Sequence, residues 1–371
     1  MGEIFLYLGI LIAVIFGVFI ILILIIRLYS RGKLKPLRDE KGNEIKGSIA
    51  EKKFIEVGGI KQGLFIRSEN YNNPVILFLH GGPGGPELPT LLPFETTERL
   101  EKYFTVCYWE QRNSGMSYNK HIDLKTLTIA QFIEDIFQVT EYLKQRFNQE
   151  KIYLLGHSWG SYLGIKTIQK HPQYYIAFVG VGQLTNQKQS EILAYDYMLK
   201  LATEKNQNSD IKKLKKYDRD NLEFVNDFTY IAQVRGSLLN KYGIGSTRDK
   251  PSSTMAMLKL VLKFEGYTLM EKVNYLKGMI SSTKSLWSKV VEDNLFESST
   301  QFQVPVYIAH GKYDYQVSYS LSREWFEKIE APKKAFYTFE NSAHGVMVEE
   351  PEKFIQIMKD IAKQTNLQLT F

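Results

Sequence analysis

The chain has 371 residues, 44% of them hydrophobic and 23% charged, with a net charge of +7. That is the composition of a folded globular protein, not of a low-complexity or disordered chain. A lone cysteine, Cys107, excludes an internal disulfide, and the lysine pairs Lys212-Lys213 and Lys215-Lys216 read as a solvated helix face. No nucleic-acid motif, metal-ligand spacing, phosphate-binding loop or internal repeat accompanies the positive charge, so neither a nucleic-acid partner nor a metal or organic cofactor is expected.

Residues 4–26 form an unbroken uncharged run of mostly Ile, Leu, Phe and Val. As a helix this run is about 34 Å long, enough to cross a hydrocarbon core of roughly 30 Å. No Lys or Arg precedes it and no small-residue cleavage motif follows, which favours an uncleaved single-pass anchor over residues 1–27 rather than a signal peptide. Arg27, Arg31, Lys33, Lys35 and Arg38 all follow the span, so the domain that begins at residue 49 is expected on the cytoplasmic side of the cell membrane. The same cluster suits anionic headgroups. Gly9, Ala13 and Gly17 recur every four residues and allow a homodimer through the transmembrane helix, although small residues are common in any such helix. Residues 28–48, charged and carrying Gly and Pro, read as a juxtamembrane linker.

From residue 49 the pattern is that of an α/β core. Residues 53–57 and 63–67 predict a hairpin turned at Gly58-Gly59, and strands then alternate with helices to residue 181, as a largely parallel sheet requires. The apolar run 75–79 leads through His80 into Gly81-Gly82-Pro83-Gly84-Gly85-Pro86. Such a turn leaves backbone N–H groups open to a developing oxyanion. Residues 104–109 are a further strand, burying Cys107. The run 152–155 then meets Gly156-His157-Ser158-Trp159-Gly160 and a helical pattern over 161–169. A strand, sharp turn and helix around Ser158 make it the candidate nucleophile, with the N–H groups of Gly82 and Trp159 as oxyanion hole. The pentapeptide alone arises by chance in about one chain in ten of this length, so a base and an acid are also required.

Alternation stops after residue 182, and 184–300 reads as a helical cap inserted between the two parts of the core, 49–183 and 301–371. Tyr195, Tyr197, Phe224, Phe228 and Trp287 either line a pocket beneath this cap or form its core. A strand over 304–309 leads to Asp314, the candidate acid, with Glu340 in reserve; a strand over 335–339 leads to His344, and residues 351–362 form a last helix. The base follows by elimination. His157 adjoins the nucleophile and should point away from its hydroxyl, His80 and His310 shape loops, and His121 and His171 lie in polar stretches, which leaves His344.

The order Ser158, Asp314, His344 is that of the α/β-hydrolase fold. Together with His80-Gly81-Gly82-Pro83-Gly84, Tyr108-Trp109-Glu110-Gln111-Arg112-Asn113-Ser114-Gly115 and the pentapeptide at 156–160, the chain resembles the proline iminopeptidase branch of that superfamily. The resemblance implies a serine hydrolase, aminopeptidase or carboxylesterase, whose small-molecule or short-peptide substrate enters beneath a helical cap. Two positions depart from the usual Asp-Gln-Arg-Gly-Ser-Gly: Glu110 stands for the Asp and Asn113 for the first Gly, and cap carboxylates to hold a free amine have no match. The expected activity is cleavage of a small amide or ester through an acyl-enzyme. The alternative is a catalytically silent module that keeps the fold for ligand binding or protein contact at the membrane. Epoxide hydrolase and dehalogenase chemistry needs a carboxylate where Ser158 stands.

Overall fold

The computed structural model describes residues 2–95, 98–250 and 254–365; residue 1 of the expected anchor and residues 366–371 of the second core segment lie outside the described residues. Helix α1 (Gly2–Leu28) carries the N-terminal apolar run. Its window of mean hydropathy 3.5 is covered by no other part of the protein, and among the described residues it is the one helix long and apolar enough to cross a membrane.

Eight strands form one sheet: β1 (Ile49–Val57), β2 (Ile60–Ser68), β3 (Val75–Leu79), β4 (Thr105–Trp109), β5 (Ile152–His157), β6 (Tyr175–Val181), β7 (Val306–Gly311) and β8 (Lys334–Phe339). Their spatial order is β1-β2-β4-β3-β5-β6-β7-β8. The first two pairings are antiparallel and the rest parallel. Gly58 and Gly59 turn the hairpin with φ of 54° and 74°, a left-handed pair that glycine adopts without strain. The strands on either side run longer than the apolar pattern indicated, from 49 and to 68.

Side chains alternate between two cores, as the pleat demands. Val75, Leu77, Leu154 and Ile308 face one side, where α2 (Ile129–Phe147), α3 (Trp159–Lys170) and α7 (Tyr319–Lys328) pack through Phe132, Leu163 and Trp325. Ile76, Phe78, Leu155 and Tyr307 face the other, covered by α8 (Pro351–Gln364) through Phe354 and Met358. Both faces are therefore dry, which is why the central strands read as unbroken apolar runs. Cys107 is fully buried between them.

Between β6 and β7 lie α4 (Gln187–Glu204), several short turns, α5 (Thr254–Lys263) and α6 (Leu269–Glu292). A capping box, Thr268 with Glu271, starts α6. Tyr195 and Phe224 belong to a third cluster with Tyr230 and Leu239 and do not line the main cavity; Tyr197 stacks on Tyr315 at 4.1 Å and Phe228 is exposed. For Tyr195, Tyr197 and Phe224 helical spacing marked core, and for Phe228 neither core nor pocket. Trp287 alone of the five borders Ser158, through a small side cavity.

The segment after α1 is packed onto the protein. Lys272 Nζ donates to the carbonyls of Tyr29 (2.7 Å) and Leu262 (2.5 Å), tying the ends of α1 and α5 together. Burial pulls the Lys272 ammonium down to about 8, against the attraction of Glu265. Arg31 and Lys35 both pair with Glu265, the Lys33 N–H donates to the Glu265 carbonyl, and Leu37 is buried.

Candidate active site

Ser158 stands between β5 and α3 at φ 54°, ψ −119°. A non-glycine residue is strained there. The turn is feasible because its flanks lack side chains: a Cβ on Gly160 would sit 1.9 Å from the Leu79 carbonyl oxygen, and one on Gly156 2.3 Å from that of Gly160. The Ser158 N–H donates to the Val181 carbonyl at 2.9 Å, fixing the turn to β6.

His344 follows β8 on a loop whose backbone N–H donates to Gly245. Its Nδ1 lies 2.7 Å from Asp314 Oδ2, and a carboxylate oxygen only accepts, so Nδ1 carries the proton and Nε2 keeps its lone pair. Nε2 is buried and has no hydrogen-bond partner among the described residues, and His344 borders the cavity that Ser158 lines. Burial lowers the His344 pKa; Asp314 opposes that and His157 adds to it.

Asp314 leaves β7 in a turn that saturates its carboxylate. Oδ1 accepts the N–H groups of Gln316 and Val317, both at 2.9 Å, and Oδ2 lies 3.1 Å from His310 Nε2 as well as on His344. Burial disfavours this charge, but His344 and His310 hold the carboxyl far below the usual carboxylate range. His310 thus does more than shape a loop. Glu340, the reserve acid, pairs with Lys312 at the surface and takes no part.

A second imidazole lies beside the first. The His157 ring centroid is 4.6 Å from that of His344, and His157 lines the same cavity as Ser158, so its ring does not turn away from the site as its place in the sequence suggested. Nδ1 is 2.7 Å from Glu87 Oε1 and Nε2 is 3.2 Å from the His344 carbonyl. Both partners are acceptors, so the arrangement favours the protonated ring, in which both nitrogens donate. Burial works against that charge, yet Glu87 raises the His157 pKa. Glu87 Oε1 also accepts the Gly81 N–H at 2.8 Å, so one carboxylate joins the glycine loop to the turn at Ser158.

Gly82 has φ 118°, a conformation that favours glycine, and Trp159 opens α3. Among the described residues neither backbone N–H has an acceptor, and both residues share a small cavity with Ser158. Gln111 braces them: its side chain donates to the His80 carbonyl at 2.9 Å and accepts Trp159 Nε1 at 2.8 Å. His80 is pushed down to about 4 by burial, so its neutral ring accepts the Gln111 N–H at Nε2 and donates from Nδ1 to Gly81.

The two departures from the family motif both meet the inserted segment, one at the turn before α6 and one on α6. Glu110 accepts the Tyr267 hydroxyl at 2.5 Å and the Met116 N–H at 2.5 Å; burial pushes its pKa up to about 8. Asn113 sits at φ 61°, a left-handed position that Asn tolerates in place of Gly, and its side chain reaches Ser281 and Ser282 on α6. Arg112 forms a buried bidentate pair with Asp135 at 2.8 and 2.9 Å.

The main cavity is about 320 Å³. Ser158, His344, His157 and Glu87 border it at one end, and Leu91, Phe94, Met257, Leu260, Tyr275 and Met279 give it apolar walls. Glu87 is its one carboxylate among the described residues, and that group is committed to His157 and Gly81.

A model of the family described as serine aminopeptidase, S33, matches residues 95–351. The chain is 32% identical to the probable aminopeptidase YbaC of Bacillus subtilis (strain 168) over 325 residues, 86% of this chain and 98% of that one. It is 24% identical to the proline iminopeptidase of Heyndrickxia coagulans over 320 residues, 83% and 96% of the two chains. The solved proline iminopeptidase of Mycobacterium smegmatis superposes with a TM-score of 0.57 at 13% identity, covering 85% of this chain and 98% of that one.

Proposed function

The chain belongs to the S33 family of serine aminopeptidases and is an α/β-hydrolase related to the proline iminopeptidases, and from that premise we propose that it is a serine hydrolase, held at a membrane by residues 1–27, that cleaves a small amide or ester through an acyl-enzyme on Ser158. In this reading residues 49–183 and 301–371 form the catalytic core, 184–300 the cap and 28–48 the segment joining core to anchor. The basic residues after the span put the core on the cytoplasmic side. Gly9 and Gly17, with open space where side chains would be, offer a face to a second copy in the bilayer.

His344 Nε2 takes the Ser158 proton as Oγ bonds to the substrate carbonyl carbon, and the carbonyl oxygen becomes an oxyanion against the N–H groups of Gly82 and Trp159. Asp314 stabilises the imidazolium so formed. Collapse of the tetrahedral intermediate breaks the bond to the leaving amine or alcohol, which departs with the proton from His344. Water then attacks the acyl-enzyme by the same route in reverse roles and frees the acid. The observation that carries this reading is the relay itself: a strained serine and an imidazole share one cavity, and that imidazole has one nitrogen on a buried carboxylate and the other unengaged.

Labelling by a fluorophosphonate probe tests it. Wild-type protein should take up probe and Ser158→Ala should not; equal labelling of the two removes the enzyme reading and leaves the silent module. Within the enzyme reading, the similarity to a probable aminopeptidase favours amide substrates, whereas an apolar cavity whose one carboxylate is committed favours esters. Turnover of a prolyl arylamide against a short-chain aryl ester decides between them.

A further inference from the structure

The end of α1 does not hang free of the catalytic unit: through Lys272, Glu265 and the Lys33 N–H it is fastened to the turn that joins α5 to α6. Around that junction apolar side chains point outward. Leu262 is 39% exposed, Leu269 42%, Met270 64% and Val273 40%, and Ile280 continues the same stripe along α6 at 47%. Positions 269, 273 and 280 recur at helical spacing, so they share one face of α6. Exposed Lys259, Lys263 and Lys277 flank this surface, and Arg31, Lys33 and Lys35 border it from the anchor side. Apolar residues edged by lysines at the end of a membrane-spanning helix suit the boundary between acyl chains and anionic headgroups.

The inner sides of the same two helices wall the active-site cavity, through Met257 and Leu260 on α5 and Tyr275 and Met279 on α6. Leu260 also lines a second cleft, of about 410 Å³, where six basic side chains, among them Lys33, Lys35, Arg38 and Lys263, outnumber the two carboxylates, Glu95 and Glu265. Leu260 therefore borders both the cavity of Ser158 and a cleft beside the end of α1.

We propose that the α5–α6 hairpin is seated in the bilayer surface and that the cavity takes its substrate from there, an amphiphilic ester whose acyl chain enters between α5 and α6 and whose anionic headgroup rests in the basic cleft. This rests on the membrane-anchored hydrolase reading above. It makes the cap the membrane-contacting surface as well as the pocket wall, and it names the substrate as a bilayer-resident acyl ester rather than a water-soluble peptide.

Full-length protein in phosphatidylcholine vesicles containing phosphatidylglycerol gives the test. Because Cys107 is buried, a Met270→Cys variant can be labelled at that position with an environment-sensitive fluorophore. Brominated acyl chains should quench it; emission unchanged by brominated lipid overturns the proposal. In parallel, Met270→Asp with Val273→Asp should lower the rate on a vesicle-resident long-chain ester at least about tenfold while leaving a soluble butyrate ester within about twofold, since the change removes bilayer contact and touches no cavity residue. Equal loss on both esters, or loss on neither, overturns it. Two other results also overturn it by removing its basis, and each is recognisable: release of the protein by alkaline carbonate removes the anchor, and absence of fluorophosphonate labelling removes the hydrolase.

Discussion

Asp314→Asn changes one atom, and the structure dictates how that change propagates. Oδ1 accepts two backbone N–H groups, from Gln316 and Val317, and no rotation of the side chain can give both of them an acceptor except by keeping an oxygen there. The new amide nitrogen must therefore take the Oδ2 position, 2.7 Å from His344 Nδ1 and 3.1 Å from His310 Nε2. It is a donor, so His344 can remain bonded only by accepting at Nδ1, which moves the ring proton to Nε2. An Nε2–H cannot take the Ser158 proton. Loss of the correct tautomer costs about 10⁴ in kcat in serine-protease triads, or about 5.4 kcal/mol of transition-state stabilisation. The assay is kcat/KM on a soluble aryl ester for wild type, Asp314→Asn and Ser158→Ala, with circular dichroism to confirm folding. A folded Asp314→Asn within tenfold of wild type would falsify the assignment of Asp314 as the group that orients the base.

The acid limb of the kcat/KM profile should lie below the ordinary His value of about 6.5, because burial and the His157 charge lower the His344 pKa and activity is lost as pH falls through it. Glu87→Gln frees His157 from its counter-ion and should move that limb upward; a wild-type limb above 6.5 contradicts the neighbouring imidazolium. Glu110, with a folded pKa of about 8 against 4.5 unfolded, binds its proton more tightly in the native state, so it makes stability fall by up to about 1.4 kcal/mol per pH unit as pH rises from 4.5 towards 8. Glu110→Gln should flatten that slope in urea titrations, and an unchanged slope rules Glu110 out as its source. Asp135→Asn leaves Arg112 buried against a neutral partner and should lower stability by about 3 to 5 kcal/mol; a loss under 1 kcal/mol by denaturant midpoint would show that the pair is not the brace its geometry suggests.

What the sequence made readable follows from range. Ser158 was legible because the signals that define it, an apolar run, two glycines and a helical repeat, lie within a few residues of one another. The parallel strands were legible because both faces of β3 and β5 are buried, leaving no polar alternation to confuse them. His344 was singled out by elimination among the histidines and Asp314 by its place after a strand, and the fold brings the two within 2.7 Å. Glu87 did not, because its role depends on a contact with a residue 70 positions away across the sheet, and no local pattern marks it. The packing of the juxtamembrane segment was hidden for a related reason: Arg31, Lys33 and Lys35 have the composition of a linker, and their partner, Glu265, lies far along the chain.

The departures at 110 and 113 show how such distant contacts leave a trace after all. Seen locally, Glu110 and Asn113 weaken a motif; in the folded chain Glu110 meets Tyr267 before α6, and Asn113 meets Ser281 and Ser282 on α6 itself. Asn keeps the left-handed backbone that the turn needs while adding a side-chain amide that Gly lacks. Both changes therefore preserve what the core requires at those positions and add bonds to the turn before α6 and to α6 itself, the helix that walls the cavity and begins beside the end of α1. The inserted segment is fastened at once to the core by this motif and to α1 through Lys272, and these bonds oppose a swing of the segment as a lid, so the proposal above has substrate pass between α5 and α6 with the segment in place.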